Sequence, residues 1–334
     1  MCLVGPAGAG EHGAGVVGEM TRSVWLVDFD GKIENLALMR LSTWYKGQGY
    51  TVSLKRLNGA GIEAACPPLF DRPSKVCISC IFRWNKEQAE RLVEQWAGQA
   101  SWGGTGVAID KTLPQGAIDC EPDYRLYNQA RAIGFISRGC NNHCPWCVVW
   151  RKEGRLHRVS TAKCIVGERT EAIFLDNNIL ALPDHERDLE WLARQSVAID
   201  FNQGLDAKYV TDENAPLLAS CRWKSGPRLA LDSNGRIPIV ARALERLEKA
   251  GISPRRVTLF ILIGFSGIDS DIRRLMQARQ WGVNAFPMGF RDLATGEEPA
   301  LEWDRGLYRK YKRLIIRLPQ ATQVWRDFEA EVAT

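Results

Sequence analysis

The stretch Gly134-Phe-Ile-Ser-Arg-Gly-Cys-Asn-Asn-His-Cys-Pro-Trp-Cys-Val-Val149 contains three of the chain's ten cysteines and starts as a short apolar run. Three residues separate Cys140 from Cys144, two separate Cys144 from Cys147, and the spacers are mostly small or turn-forming. Such a loop can fold back so that its three sulfurs converge on one point. Structural zinc sites use four protein ligands, and most iron–sulfur clusters are held by four cysteines. A cluster held by three thiolates leaves one iron open to another molecule.

Three other interpretations of these cysteines fit the pattern less well. A structural zinc site would take His143 or His157 as its fourth ligand, but such sites usually combine two separated cysteine pairs. A disulfide with one spare thiol would require an oxidising compartment, which nothing in the sequence indicates. Cysteines packed in a core would not be surrounded by Pro, Asn and Gly. The pattern therefore favours iron–sulfur ligands.

The same residues resemble the signature of a known enzyme family. Cys140-x3-Cys144-x2-Cys147 follows an apolar strand, and the aromatic Trp146 stands just before the last cysteine. In these features the chain is similar to the radical S-adenosylmethionine (radical SAM) enzymes. The resemblance implies that the three cysteines hold a [4Fe–4S] cluster whose fourth iron binds the amino and carboxylate groups of SAM. It also implies that the reduced cluster cleaves SAM to methionine and a 5′-deoxyadenosyl radical, which abstracts a hydrogen atom from a substrate.

Composition is that of an ordinary globular protein. The chain has 334 residues, 45% hydrophobic and 25% charged, which is usual for such proteins. The formal charge of +5 permits an anionic substrate or nucleic acid without requiring either. No apolar run approaches the roughly 18 residues of a membrane span, so we expect no membrane association. Ten cysteines without a convincing signal peptide favour a reducing compartment, and we expect a cytoplasmic protein.

Residues 1–21 are expected to form a disordered leader. The segment Met1–Glu19 is rich in Gly, Ala and Val, but it lacks a basic start and a long apolar core. It is therefore a poor signal peptide. Its Gly-x-Gly pieces do not follow a strand, so we do not interpret them as a phosphate-binding loop.

Residues 22–112 are expected to form a small Rossmann-like domain. Apolar runs alternate with segments of helical spacing, which is typical of a parallel sheet. A Gly-rich turn follows at Trp102–Gly106. The predicted strands are Ser23–Asp30, Tyr50–Leu57 and Lys75–Phe82, and the predicted helices are Asn35–Gly49 and Lys86–Trp96.

This domain resembles the cobalamin-binding-like domain that precedes the barrel in one branch of the radical SAM enzymes. The Asp-x-His-x-x-Gly motif of many cobalamin modules is absent from it, and His12 lies outside it. Cobalamin is therefore a possible cofactor, but a module without cobalamin is the favoured interpretation. Cys77 and Cys80 lie on an apolar strand, and we interpret them as core thiols rather than as ligands of a second cluster.

A second α/β unit is predicted after a linker at residues 113–131. It covers residues 132–300 and contains six strand–helix units, and residues 301–334 are predicted to form a helical tail. The resemblance implies that the six units form a partial (β/α)6 barrel of the TIM type. The predicted strands are Ala132–Ile136, Ala172–Leu175, Ala198–Phe201, Arg228–Leu231, Val257–Ile263 and Asn284–Met288.

Polar residues follow most of these strands. In barrel enzymes the chemistry lies at the carboxyl ends of the strands. Turn formation or helix N-capping explains each polar residue equally well when it is taken alone. Several polar ends that converge on one rim are a stronger signal for a site. They are Asp176-Asn177-Asn178, Asn202-Gln203, Asp206 and Asp232-Ser233-Asn234.

The resemblance also implies a role for individual residues in binding SAM. The end of the second strand would receive the amino group, and the third and fourth strand ends would contact the ribose and the carboxylate. The fifth strand and one aromatic residue of the cysteine stretch would lie against adenine. The residues are Asp176, Asn177 and Asn178; then Asn202, Gln203, Asp232 and Ser233; then Ile263, Gly264 and Trp146.

Two basic features leave their role open. Arg151–Arg155 follows the cysteine stretch and is either a solvated loop or, with Arg158, a clamp for a phosphate-bearing substrate. In the clamp, Lys152 would also contact the phosphate. Arg291 follows the last strand and either faces solvent or binds an anionic group.

The sequence therefore predicts a radical SAM enzyme that modifies a small molecule, a nucleotide or a base. Its partners would be that substrate and an electron donor such as flavodoxin or ferredoxin. The alternative is a non-catalytic nucleic-acid-binding protein stabilised by zinc or by a cluster. That alternative needs a fourth ligand and a continuous basic face, whereas the sequence offers mixed charge and polar strand ends.

Overall fold

The computed structural model describes residues 22–58, 61–292 and 322–332. The predicted leader at residues 1–21 lies outside this range. Of the predicted tail at residues 301–334, only a helix at Thr322–Val332 is described, which agrees with the helical prediction for that part. Within the described residues, no helix is both long and apolar enough to cross a membrane.

The first unit is a parallel four-stranded sheet with two helices. Its elements are β1 (Ser23–Asp28), α1 (Leu36–Gly47), β2 (Thr51–Arg56), β3 (Lys75–Ser79), α2 (Lys86–Gln95) and β4 (Ala100–Gly103). The strands pair in the order β2-β1-β3-β4. α1 starts where it does because the Asn35 side chain accepts hydrogen bonds from the N–H groups of Ala37 and Leu38. β4 includes part of what the sequence suggested was only a Gly-rich turn.

The second unit alternates strands and helices. A short helix before it, α3 (Gln115–Ile118), lies in the predicted linker and packs on α1 of the first unit. The elements of the second unit are β5 (Ala132–Gly134), β6 (Ser137–Arg138), α4 (Val149–Glu153), β7 (His157–Arg158), α5 (Ala162–Val166), β8 (Glu171–Phe174), α6 (His185–Arg194), β9 (Ala198–Phe201), α7 (Asn214–Ser220), β10 (Arg228–Leu231), α8 (Ile237–Lys249), β11 (Thr258–Ile263), α9 (Ile268–Gln280), β12 (Asn284–Gly289) and α10 (Thr322–Val332).

Six strands of this unit form two parallel sheets. Their orders are β5-β8-β9 and β10-β11-β12, and an isolated parallel bridge between Leu205 and Leu229 links the segment after β9 to β10. β6 and β7 form a separate antiparallel ribbon. These pairings confirm a mixed α/β fold with mostly parallel sheets. The described strands are not hydrogen-bonded into one continuous barrel.

The core of the second unit lies between its strands and its helices. Leu229 and Leu231 of β10 and Leu259 and Ile261 of β11 are fully buried in this core. The residues that alternate with them along β10 and the first half of β11 are less buried. Because neighbouring residues of a strand point to opposite faces, one face of this sheet packs on helices and the other is more open.

The two units contact each other through a small apolar cluster and several polar contacts, which include an ion pair and a hydrogen bond. Met39 of α1 packs with Ile133 of β5 and Ile173 of β8. Arg131 donates to Glu34 at 2.6 Å, and the Tyr127 hydroxyl donates to Asp28 at 2.8 Å. Partly buried pairs of this kind are stronger than exposed ones, so they fix the first unit against the start of the second.

Candidate cysteine site

Residues 139–154, the cysteine loop, leave the ribbon through β6 and return to it through α4 and β7. The N–H of Cys140 donates to the carbonyl of Gly154 at 3.1 Å, which closes the base of the loop. Gly139 has a φ of +78°, and a Cβ there would lie 2.2 Å from the carbonyl oxygen of Arg155. Only glycine can therefore occupy this crossing without displacing backbone.

Glu153 ties the loop to the neighbouring strand end. Its carboxylate accepts hydrogen bonds from Arg138 at 2.7 Å and from the Gly139 N–H at 3.0 Å. It also accepts one from the Asn177 amide at 3.0 Å. The side chain of Asn177, predicted to bind SAM, is therefore engaged in holding the loop.

Asp176 braces the segment that precedes the loop. It is fully buried, and its two oxygens accept hydrogen bonds from the Ile136 N–H, the Ser137 N–H and the Ser137 hydroxyl. Burial raises the pKa of this carboxyl to about 6, although the three donors favour its ionised form. The geometry gives Asp176 a structural role, and its predicted contact with SAM stays a prediction.

Asn178 is the third member of the predicted triplet and differs from the other two. Its side chain is 1% exposed, and its amide nitrogen lies 3.6 Å from the Cys140 sulfur. Its oxygen, Oδ1, is buried and has no hydrogen-bond partner among the described residues. An unsatisfied buried acceptor beside a candidate cluster ligand is available to a ligand's donor group.

The loop also contacts the end of β9. The Asn142 amide donates to Asp206 at 2.7 Å, and the same carboxylate pairs with Arg236, which follows β10. Asn202 is partly buried and Gln203 is exposed. Neither side chain makes a hydrogen bond within the described part of the chain. At the end of β9 it is therefore Asp206, and not Asn202 or Gln203, whose side chain is hydrogen-bonded to the loop.

Trp146 links the loop to β10 and β11. Its side chain lies close enough to Asp232 to oppose the rise in the pKa of that carboxyl, and its ring lies 5.1 Å from the Phe265 ring in an edge-on contact. Burial raises the pKa of Asp232 to about 6, while Arg236 and Arg274 oppose that shift. Asp232 thus lies beside the cysteine loop, and its predicted contact with SAM stays a prediction.

Three other predicted residues are placed less favourably for a ligand. The carbonyl of Ser233 accepts a hydrogen bond from the N–H of Arg236 in a local turn. The side chain of Ile263 is 1% exposed and belongs to the core against the helices. The N–H of Gly264 donates to Asp271 at 2.7 Å. A contact between Ile263 and adenine could therefore use only its backbone.

The three candidate thiols are free and partly buried. The sulfurs of Cys140 and Cys147 accept backbone N–H groups from Asn142 at 3.4 Å and Val149 at 3.5 Å. Burial and the neighbouring Cys147 and Asp232 raise the pKa of Cys144 to about 11, and burial raises that of Cys147. The thiols of Cys144 and Cys147 are therefore neutral until a cation binds, because the positive charge of a metal ion favours the thiolate.

The thiols share one loop without forming a closed ligand set. In residues 22–58, 61–292 and 322–332, no three His, Cys, Asp or Glu side chains are arranged to hold a metal ion. The electrostatic coupling of Cys144 to both Cys140 and Cys147 nonetheless places the three thiols in one neighbourhood.

Unsatisfied polar atoms concentrate around the cysteine loop. Five buried side-chain nitrogen or oxygen atoms of the described residues lack a hydrogen-bond partner, and three of them lie on or beside the loop. Native proteins leave few such atoms, and each is available to a ligand or to water. The three atoms are Trp150 Nε1, Asn178 Oδ1 and Arg236 Nε, and the other two belong to Arg40 and Arg274.

Sequence reasoning missed several residues that build this site. Glu153 and Asn142 each join the loop to a strand end. Arg236 pairs with Asp206, the carboxylate that Asn142 contacts. Glu153 belongs to no recognised motif, but it is the only acidic residue in the basic segment Arg151–Arg155. That isolation could have indicated a structural ion pair. Arg236 gave no such signal, because an arginine at a helix start is common on protein surfaces.

No protein-family model matches this chain, and a comparison with curated proteins also found no match. The functional conclusion rests on the cysteine pattern and on the contacts of the loop that carries it.

Proposed function

We propose that the chain is a radical SAM enzyme whose [4Fe–4S] cluster is held by Cys140, Cys144 and Cys147. The observation that carries the proposal is the position of the cysteine loop, whose residues contact side chains at the ends of four successive parallel strands. Ligands of parallel α/β proteins bind at these carboxyl ends. The four contacts are with Asn178 after β8, Asp206 after β9, Asp232 after β10 and Phe265 after β11.

In this proposal the two three-stranded sheets are the halves of a partial (β/α)6 barrel. Their strands follow one another in chain order, all pairs are parallel, and the bridge from Leu205 to Leu229 lies between the halves. A barrel that is open at one side leaves room for a substrate on the less buried face of β10, β11 and β12.

The donor set suits an iron–sulfur cluster better than zinc. Thiolates are the usual ligands of such clusters, and hydrogen bonds to the sulfurs tune them. Structural zinc would need a fourth ligand besides the three cysteines, and the ring of His143, the imidazole inside the loop, packs against Trp150. The bound cluster would supply the electron that cleaves SAM reductively.

The chain's own residues would position SAM and protect the reaction. Asn178 Oδ1 is an acceptor for the ammonium group of SAM, and Arg236 Nε is a donor for its carboxylate. Trp146 and Phe265 form an apolar wall beside the loop that would exclude water. Asp176 and Glu153 hold the loop in place.

The proposal includes no cobalamin in the first unit. A ligand of such a sheet would bind outside the carboxyl ends of β1 and β3, where the strand order reverses. That position is filled by the protein itself, because Asp30 accepts hydrogen bonds from the N–H groups of Ile81 and Phe82 and from the Asn85 amide. The substrate class proposed is a small molecule or nucleotide, with a flavodoxin- or ferredoxin-like electron donor in a reducing cytoplasm.

Anaerobic reconstitution tests the proposal. Wild-type protein should bind about four irons per chain, and with SAM and dithionite it should release 5′-deoxyadenosine. Replacement of Cys140, Cys144 or Cys147 by alanine should abolish both, because two thiolates cannot retain the cluster. Cys164→Ala is the matched control, since Cys164 is exposed on α5 and should be dispensable.

Two results would overturn the proposal. One is a reconstituted wild-type protein that holds about one zinc and no iron, which would favour the non-catalytic alternative. The other is cluster binding that survives each single cysteine replacement.

A further inference from the structure

A lysine at the joint between the first unit and the cysteine loop forms no ion pair with the acidic residues that the structure describes. Lys152 lies on α4, five residues after Cys147, and is partly buried. Its ammonium contacts the hydroxyl of Thr105, in the Gly-rich turn after β4. Among the described residues, no carboxylate oxygen lies within 4.0 Å of this ammonium.

An ammonium group in such a place is costly. Buried charges in proteins are normally paired, because removal from water is unfavourable unless a counter-charge compensates. Burial accordingly lowers the pKa of Lys152. The nearest acid in sequence, Glu153, directs its oxygens to Arg138, Gly139 and Asn177 instead. An anion that enters the joint would supply the missing partner.

The turn that faces Lys152 is held in a fixed conformation. Gly104 has a φ of +107°, and a Cβ on it would lie 2.3 Å from the Cys80 carbonyl oxygen. A Cβ on Gly106 would lie 2.7 Å from the Phe82 backbone. Both glycines are therefore required for the close approach, and Thr105 between them is presented to Lys152 with little freedom.

A cluster of two aromatic rings and one guanidinium borders the Gly-rich turn. Phe82 stacks on Trp84 with a centroid distance of 4.6 Å, and the Arg291 guanidinium lies 3.9 Å from the Trp84 ring. Trp84 is still 52% exposed. The Phe82 backbone borders the Gly-rich turn at Gly106, so this cluster lies beside the turn that Lys152 contacts.

The other two residues of the suggested phosphate clamp, Arg155 and Arg158, do not lie with Lys152. Arg158 pairs with Asp184 at 2.8 Å and Asp188 at 2.7 Å, so it does not join a clamp with Lys152. Arg155 is exposed. The three-residue phosphate clamp suggested by the sequence is therefore not assembled, and of the three Lys152 alone lies in the joint.

We propose that this joint binds an oxyanion of the substrate, a phosphate or a carboxylate, with Lys152 as its charge partner. The Thr105 hydroxyl accepts from Lys152 and so keeps its own proton to donate to the same oxyanion. The assignment to the substrate rests on the proposed function. The binding itself does not, because it needs neither SAM nor a reductant.

Isothermal titration calorimetry on the full chain tests the oxyanion site. The probes are inorganic phosphate, adenosine 5′-monophosphate, glutarate and uncharged adenosine, each with as-isolated and with reconstituted protein. Wild-type protein should bind at least one of the three anions and should bind adenosine at least tenfold more weakly than that anion. A preference for phosphate or for glutarate identifies which oxyanion the site takes.

Variants locate the binding. Lys152→Met should weaken the anion at least tenfold, Thr105→Val severalfold, and Lys152→Arg less than Lys152→Met. Lys163→Met is the matched control, because Lys163 is exposed on α5 and its loss changes the net charge equally. Thermal unfolding shows whether each variant folds. If Lys152→Met does not fold, Thr105→Val still tests the site, because it removes only one hydroxyl.

The site would be excluded by an absence of binding for all three anions, or by equal anion affinity in wild type and both Lys152→Met and Thr105→Val. If the anions bind but no iron does, the oxyanion site stands and the radical SAM proposal fails. The reverse outcome, cluster and SAM cleavage without anion binding, removes the oxyanion site alone.

Discussion

The carboxyl ends of the two parallel units carry similar residues and use them differently. In the first unit, Asp28 and Asp30 are buried and accept hydrogen bonds only from the protein's own groups. In the second unit, Asn178 and Arg236 leave buried atoms without partners next to the cysteine loop. A strand end whose buried polar groups all form hydrogen bonds within the protein stabilises the fold. A strand end with unpaired buried polar atoms can still bind a ligand through them.

Asp30→Ala should produce the largest loss of stability, because this carboxylate satisfies two backbone N–H groups at a buried position. Each unsatisfied buried donor costs about 1–3 kcal/mol, so we expect a loss of about 4 kcal/mol in the free energy of unfolding. Urea denaturation followed by circular dichroism measures it. The folded fraction should still bind iron like the wild type.

Asp110→Ala is the control for this prediction, since Asp110 is exposed in the same unit. One unpaired buried donor costs at least about 1 kcal/mol. A smaller loss for Asp30→Ala would therefore mean that Asp30 does not satisfy buried N–H groups as described.

Asp176 gives the second unit a pH dependence with a defined sign. Its folded pKa of about 6 lies above the ordinary value of 3.8, so the folded state binds the proton more tightly than the unfolded state. Its contribution to stability is therefore full below about pH 4 and is lost as pH rises through about 6. The loss is up to about 3 kcal/mol, at 1.36 kcal/mol per pKa unit.

Asp176→Asn should flatten the curve of unfolding free energy against pH between about 4 and 6. It removes only part of the slope, because the pKa of Asp232 is raised in the same direction. Asp212→Asn, at a side chain 71% exposed, should leave the slope unchanged. The unfolding free energy of the wild type minus that of Asp176→Asn should fall as pH rises from about 4 to 6. A rise of this quantity over the same range would contradict the assigned sign.

Asn178→Leu should have the smallest effect on stability and a clear effect on binding. The substitution removes an unsatisfied acceptor and keeps the shape, so unfolding free energy should change by less than about 1 kcal/mol. SAM affinity of the reconstituted protein should fall about tenfold, equivalent to 1.4 kcal/mol. Equilibrium dialysis with labelled SAM measures the affinity.

Asn284→Leu is the comparison for that variant, because Asn284 begins β12 at the opposite end of the sheet and donates to the Arg255 carbonyl. It should leave SAM affinity unchanged. A large stability loss in Asn178→Leu with normal SAM binding would make Asn178 a structural residue like Asp176.

Local pattern predicted most of the fold. The strands at Ala198–Phe201 and Arg228–Leu231 have the predicted bounds, because short apolar runs flanked by polar turns are unambiguous. β4 was missed since Ala100–Gly103 is short and glycine-rich. The β6–β7 ribbon was also missed, because two-residue strands depend on pairing between distant segments and not on local periodicity.

The candidate site could be predicted only in outline. The cysteine spacing identified the loop, and polar strand ends identified the neighbourhood. Sequence could not separate Asp176, whose oxygens are all used, from Asn178, whose Oδ1 is not. Both are polar residues after one strand, and only the three-dimensional position of Ser137 and Ile136 distinguishes them.

Electron paramagnetic resonance of the reduced, reconstituted protein tests the central claim most directly. If three cysteines hold a cluster with one open iron, SAM must change the spectrum of the reduced cluster, because it adds ligands to that iron. Cys164→Ala should show the same change, and Cys144→Ala should show no cluster signal. A cluster spectrum that SAM leaves unaltered would contradict the account.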